Sequence, residues 1–208
     1  MKQSRNGLLL VVSGPAGVGK GSVDSALMSR NSNIRMSVSA TTRSPRPGEI
    51  DGVHYFFKSE DEFKRMIEEN AFLEYMHVFN MNYYGTPRSF VMDELASGRN
   101  VILEIDVQGA MQVKKAFSDA VLIFIAPPSM AELKTRLIGR GTEKPEEVEK
   151  RFATAFRELE AAEHYDYIVV NDVLEVAVNR VESIIEAEQC RCSRNLAMLQ
   201  KLQGGKEA

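Results

Sequence analysis

The sequence predicts an α/β fold: a mostly parallel central sheet flanked by helices on both faces. Three observations carry this expectation. Apolar runs suited to buried strands recur at residues 8–13, 101–107, 121–126 and 167–170. Helix-like stretches separate them, which is the alternation a parallel sheet requires. The first run leads directly into a glycine-rich segment and then a helix start, a junction that places ligands at the C-terminal ends of the strands. The chain of 208 residues has room for one sizeable core with smaller parts attached.

Taken in order, Leu8 to Ser13 reads as the first, central strand. A helix follows from about Lys20 through Ser29, with Val23, Ala26 and Leu27 turned inward. The stretch Ser37 to Glu49 is polar and marked by Pro45 and Pro47, and is expected to stay outside the core. Ser59 to Asn70 reads as a helix with Phe63 and Ile67 on one face. Asn82 to Pro87 reads as turn, and Arg88 to Ser97 as a helix ended by Gly98. Val101 to Val107 reads as a strand with Glu104 and Asp106 at its end, and Val121 to Ala126 as another, closed by Pro127-Pro128. A charged helical hairpin is expected after Ser129: Met130 to Ile138, a turn, then Pro145 to Ala162. Tyr167 to Val170 is the last strand and Leu174 to Glu188 the last packed helix; the polar stretch from Arg191 reads as a fraying helical extension.

The chemistry starts at Gly14-Pro15-Ala16-Gly17-Val18-Gly19-Lys20-Gly21-Ser22. The three loop glycines can take backbone angles closed to other residues, so successive amides can turn inward on anionic oxygens. The helix start adds unpaired N–H groups and a positive dipole end. Lys20 supplies a mobile cation for the terminal phosphates of a polyphosphate. The position after the lysine is Gly21, where the usual motif carries a hydroxyl; the first hydroxyl comes at Ser22. Ser22 is therefore the hydroxyl expected near the phosphates or the ion.

Composition excludes other roles. The formal charge of −3 gives no global positive field for nucleic acid. No apolar run reaches the length of a membrane helix. The first apolar run feeds the glycine loop, so it does not read as a signal peptide. Cys190 and Cys192 are too close to staple a fold and have no histidine cluster beside them; they read as free thiols of a reducing cytosol.

A second group of residues suits an acceptor. Arg43 and Arg46 offer planar forks to a monophosphate, with Tyr55 and Tyr84 as phenolic donors. Glu74 interrupts an apolar stretch. One carboxylate can accept both N1–H and the exocyclic amine of guanine, whereas adenine would leave it unpaired. Ser39 and Thr86 could donate to the base's O6 or N7. Glu104 and Asp106 share one side of their strand or its end, and could hold a magnesium-bound water, orient Arg43 or touch the acceptor base. Arg136 and Arg140 lie four apart on one helix face, and Arg151 on the returning helix could converge on the same ligand. Such a hairpin, rich in charge and poor in core residues, suits a closing lid.

These segments, at this order and spacing, resemble the guanylate kinases over residues 8 to 188. The carrying motifs are the glycine loop, Ser37 to Glu49, Asn82 to Thr86, Leu103 to Gly109, Ile125 to Ser129, Arg140 to Glu143 and Ile168 to Asp172. The resemblance implies a cytoplasmic P-loop kinase unit spanning 1–208, with a GMP-binding part at 36–94, a lid at 127–160 and a C-terminal extension at 190–208. It implies transfer of the γ-phosphate of ATP to GMP or dGMP with Mg²⁺. By position, Gly14 to Ser22 and Asn171 match the ATP side. Ser39, Glu74, Thr86 and Asp106 match guanine recognition, and Arg43, Arg46, Tyr55, Tyr84 and Glu49 the GMP phosphate clamp. Lys20, Arg43, Arg136, Arg140 and Arg151 match the residues that serve the transfer, while Ser22 and Glu104 are the candidates for the metal, directly or through water. The stretch from Tyr75 to Asn82 is one residue longer than usual, around Asn80. The alternatives are a catalytically silent interaction module of the same fold and a kinase for another nucleoside monophosphate. The oligomeric state is left open, a homo-oligomer among the options.

Overall fold

A computed structural model describes residues 6–78, 81–139 and 145–204. The elements are β1 (Leu9–Ser13), α1 (Lys20–Arg30), β2 (Ile34–Met36), β3 (Ala40–Thr41), β4 (Phe56–Phe57), α2 (Glu60–Glu68), β5 (Phe72–Val78), β6 (Asn82–Pro87) and α3 (Arg88–Ala96). They continue with β7 (Asn100–Glu104), α4 (Val107–Ala116), β8 (Val121–Ala126), α5 (Met130–Gly139), α6 (Pro145–Glu160), β9 (Tyr167–Val170), α7 (Leu174–Cys190) and α8 (Leu196–Gly204).

Five strands form one parallel sheet in the order β2-β7-β1-β8-β9. Its central strands are buried on both faces, since every residue of β1 and β8 is buried. One face packs on α1, α5, α6 and α7 through residues such as Leu10, Val23, Leu27, Leu133 and Val181. The other packs on α3 and α4 through Leu9, Val11, Val91, Leu95, Ala110 and Val113. The expected α/β class is thus the observed one, and the first strand lies at the centre.

A second, four-stranded sheet runs β4-β3-β6-β5. It is mixed: β3 pairs parallel with β4, while β6 is antiparallel to both β3 and β5. Phe63 of α2 stacks on Phe72 and Tyr83 at ring separations of 4.4 and 5.3 Å and closes this sheet's own small core. Ser59 caps α2 with a reciprocal capping box to Glu62, which fixes the helix start where the sequence placed it.

Four expectations need correction. Asn82–Pro87 is strand β6 rather than turn. Gly85 belongs there because a Cβ would approach the Glu74 carbonyl oxygen at 2.9 Å and the Phe72 ring and Tyr75 Cβ at 3.0 Å. The polar stretch from Ser37 enters a core after all: Ala40 and Thr41 are fully buried in β3. The strand beginning at Val101 ends at Glu104; Asp106 instead caps a separate helix, α4, by accepting the Gly109 N–H at 2.8 Å. The hairpin after Ser129 is not poor in core residues, because Leu133, Leu137, Val148 and Ala155 are all buried.

Candidate active site

The glycine loop joins β1 to α1 at the C-terminal edge of the parallel sheet. Gly14, Gly17 and Gly19 all have positive φ. Gly19 shows why a side chain is excluded: φ is 94°, and a Cβ would lie 2.6 Å from Asn171 Nδ2. That amide in turn donates to the Val18 carbonyl at 2.8 Å. Lys20 Nζ folds back on the loop and donates to the carbonyls of Gly14 at 2.7 Å and Pro15 at 3.3 Å. Ser22 is exposed in the first turn of α1.

Asp24, one helical turn beyond Lys20, is fully buried, and neither of its oxygens meets a hydrogen-bond donor. Burial, reinforced by the neighbouring Glu104 carboxylate and opposed by Lys20, pushes its carboxyl up to about 8. Sequence reasoning missed this residue. The available signal was its spacing, four after Lys20 and therefore on the same helix face.

Across the cleft, Arg43 is held by Glu49 through two hydrogen bonds of 2.8 and 3.0 Å. Glu49 also accepts the Arg46 N–H at 2.6 Å. The Arg43 guanidinium, with help from that N–H, holds the Glu49 carboxyl down to about 2. The guanidinium carbon lies 5.3 Å from the Tyr55 ring centre, and Tyr55 meets Tyr84 edge-on at 6.1 Å. The structure therefore brings Arg43, Glu49, Tyr55 and Tyr84 together. The Arg46 side chain is exposed beside them.

Glu74 and Thr86 face each other across β5 and β6, and Thr86 Oγ1 donates to Glu74 Oε1 at 2.7 Å. Burial raises the Glu74 carboxyl above the ordinary range; the Thr86 hydrogen bonds pull it back, and the Asp106 carboxylate adds to the rise. The register from Glu74–Thr86 to Val78–Asn82 is regular, and the register shift of this pair lies between Phe72 and Glu74. Phe79 and Asn80 themselves lie outside the described residues.

A cavity of about 250 Å³ between the two sheets is lined by Ser37, Ser39, Tyr55, Leu103, Glu104 and Ile105, among others. It places Ser39 and Tyr55 opposite Glu104. A larger groove of about 390 Å³, on the outer face by β9 and α7, holds none of the predicted site residues. The smaller cavity is the one lined by predicted site residues, Ser39, Tyr55 and Glu104.

On α5, Arg136 pairs with Glu132 at 2.9 Å and donates to the Asn171 carbonyl, also at 2.9 Å. Arg151 is exposed on α6. Arg140 lies outside the described residues. Glu158 of α6 was not anticipated; burial raises its carboxyl, with Lys20 opposing and Asp106 adding. Among the described residues no three His, Cys, Asp or Glu side chains are arranged to hold a metal, and no helix is long and apolar enough to cross a membrane.

A parallel sheet with this phosphate loop after its central strand, a small second sheet across a cleft and an arginine-bearing helical pair defines a P-loop kinase of the nucleoside monophosphate class. The family model for guanylate kinase matches residues 6–188. The guanylate kinase of Caldanaerobacter subterraneus subsp. tengcongensis is 52% identical over 202 residues, covering 97% of this chain and 98% of that one. That of Halalkalibacterium halodurans is 52% identical over 192 residues, covering 92% and 94%. The crystal structure of guanylate kinase from Anaplasma phagocytophilum matches with a TM-score of 0.70 at 35% identity, covering 92% of this chain and 90% of that one. The chain belongs to the guanylate kinase family.

Proposed function

We propose that this chain is an ATP:GMP phosphotransferase working through the residues described above, with GMP or dGMP as acceptor. One observation carries the reading: a buried carboxylate, Glu74, stands beside a hydroxyl donor, Thr86, at 2.7 Å on the far side of the cleft from an intact phosphate loop. Guanine presents N1–H and an exocyclic amine side by side, and Glu74 can accept both. Adenine would leave the buried carboxylate desolvated and unpaired.

In this reading the loop amides of Gly14 to Gly19 cradle the phosphates of ATP, and Lys20 leaves its two carbonyl partners for the β/γ-phosphates. Arg43, Arg46, Tyr55 and Tyr84 hold the GMP phosphate, with Glu49 orienting Arg43. Ser39, Thr86 and Asp106 complete the base pocket. Asn171 shapes the ATP side through the loop carbonyl it binds. The acceptor part spans residues 36–94. The pair α5 and α6, within 127–160, acts as a lid that brings Arg136, Arg140 and Arg151 to the transferring phosphoryl group.

The residues that would hold magnesium are Glu104, an exposed carboxylate beside the loop, and Ser22, an exposed hydroxyl. One or two carboxylates with substrate phosphates are a usual magnesium environment. Bound there, the ion would neutralise charge on the β- and γ-phosphates.

The test is a phosphoryl-transfer assay with ATP and, in parallel, GMP, AMP, UMP and CMP. GMP should be used far faster than the rest. Comparable turnover of AMP and GMP would overturn the guanine assignment.

A further inference from the structure

Gly109 is the third residue of α4, and it is buried. Its φ is not positive, so its backbone conformation suits any residue. Alanine is the better helix former, which makes glycine the weaker choice for the fold at this position. Packing does not demand a glycine there either. A Cβ at residue 109 would meet Ile105 Cδ1 at 3.3 Å, the far end of a flexible side chain, and its next neighbours lie at an ordinary 3.5 Å. Gly85 is different, because a Cβ there would run into a backbone oxygen at 2.9 Å.

The two neighbours at 3.5 Å are carboxylate oxygens, Asp106 Oδ1 and Glu74 Oε2. The space left by the missing side chain is thus bordered by both carboxylates of the base pocket. Each carboxylate already holds one donor: the Thr86 hydroxyl on Glu74 Oε1 and the Gly109 N–H on Asp106 Oδ1. We propose that Gly109 determines specificity at the C2 substituent of the purine: the space beside its Cα admits the exocyclic amine of guanine, which donates to Glu74 and Asp106 at once. The inference rests on the guanine reading above and adds the residue that makes room for the base. An amine bonded to both carboxylates stands about 3 Å from an oxygen of each, so a methyl group in the same space crowds it. Residue 109 is then a place where helix stability and substrate fit oppose each other.

The experiment compares GMP with inosine monophosphate as acceptors, for the wild type and for Gly109→Ala, at saturating ATP. Inosine monophosphate keeps N1–H and O6 and carries only hydrogen at C2. For GMP, kcat/KM should fall about 10- to 100-fold in the variant, the range for one carbon too many in a fitted pocket. For inosine monophosphate it should stay near the wild-type value, so the preference for GMP shrinks by the same factor. KM for ATP should hold, and the melting temperature should stay level or rise, because alanine favours the helix. An equal loss for both acceptors would assign Gly109 to packing alone and overturn the proposal, as would an unchanged preference for GMP. Should Gly109→Ala fail to fold, it is combined with Ile105→Val, which removes the nearest contact, and the same ratio is read. Failure of the guanine reading looks different: the wild type itself would then show no preference for GMP over inosine monophosphate, and the inference would fall with it.

Discussion

The side-chain amide of Asn171 donates to the carbonyl of Val18 at 2.8 Å, linking residues 153 positions apart. The Asn171 backbone carbonyl meanwhile accepts from Arg136. One residue at the end of β9 thus ties the phosphate loop to the sheet and to α5. Replacing Asn171 with Ala strips the buried Val18 carbonyl of its donor, which should cost about 1–3 kcal/mol. Thermal melting should register that loss. Steady-state kinetics should show KM for ATP rising more than KM for GMP, and an equal rise in both would separate Asn171 from the ATP side.

Lys20→Ala should lower kcat by about two to three orders of magnitude, the range for removing one aimed donor from a developing charge. Lys20 also donates to the carbonyls of the buried residues Gly14 and Pro15, so melting should fall as well, by a cost of about 1–3 kcal/mol, far smaller than the loss of turnover. A variant with wild-type kcat would remove Lys20 from the transfer.

Glu74 makes GMP use sensitive to acid. Its carboxyl is raised above the ordinary value of 4.5 by burial, so it takes up a proton sooner on acidification than an exposed glutamate does. The charged form is the one that accepts two guanine N–H groups, so KM for GMP should climb as pH falls through the raised value while KM for ATP holds steady. Stability has the opposite sign. A carboxyl whose folded pKa is raised contributes most below its unfolded value, and that contribution declines as pH rises through the folded one. Glu74→Gln should flatten both profiles and raise KM for GMP throughout.

Leu133 and Leu137 anchor α5 in the main core, fully or almost fully buried against the glycine loop. Leu133→Ala should destabilise the whole protein by about 2–5 kcal/mol in chemical denaturation. A cost near zero would mean that α5 moves as a body detached from that core.

The parallel sheet was legible because β1, β7, β8 and β9 announce themselves locally: apolar runs closed by glycine, proline or a carboxylate. The second sheet was not. Tyr83-Tyr84-Gly85-Thr86-Pro87 carries turn residues, and only pairing with β3 and β5 makes it a strand. Helix α4 was hidden because its buried face is Gly109, Ala110 and Val113, too small to mark an apolar stripe. In the candidate site, Lys20, Arg43 and Glu74 were readable from motif and chemistry, whereas Glu49 entered only through the family resemblance. Asp24 received no role from the sequence; only its spacing from Lys20 pointed toward the loop, and its complete burial is a tertiary fact.

On the kinase reading, Glu49 holds one edge of the Arg43 guanidinium through both terminal nitrogens, so an arriving phosphate would meet a fork whose orientation is set before it binds. The same contact spares the cleft an uncompensated cation. Glu49 would then govern how readily the acceptor is gripped rather than which base is chosen.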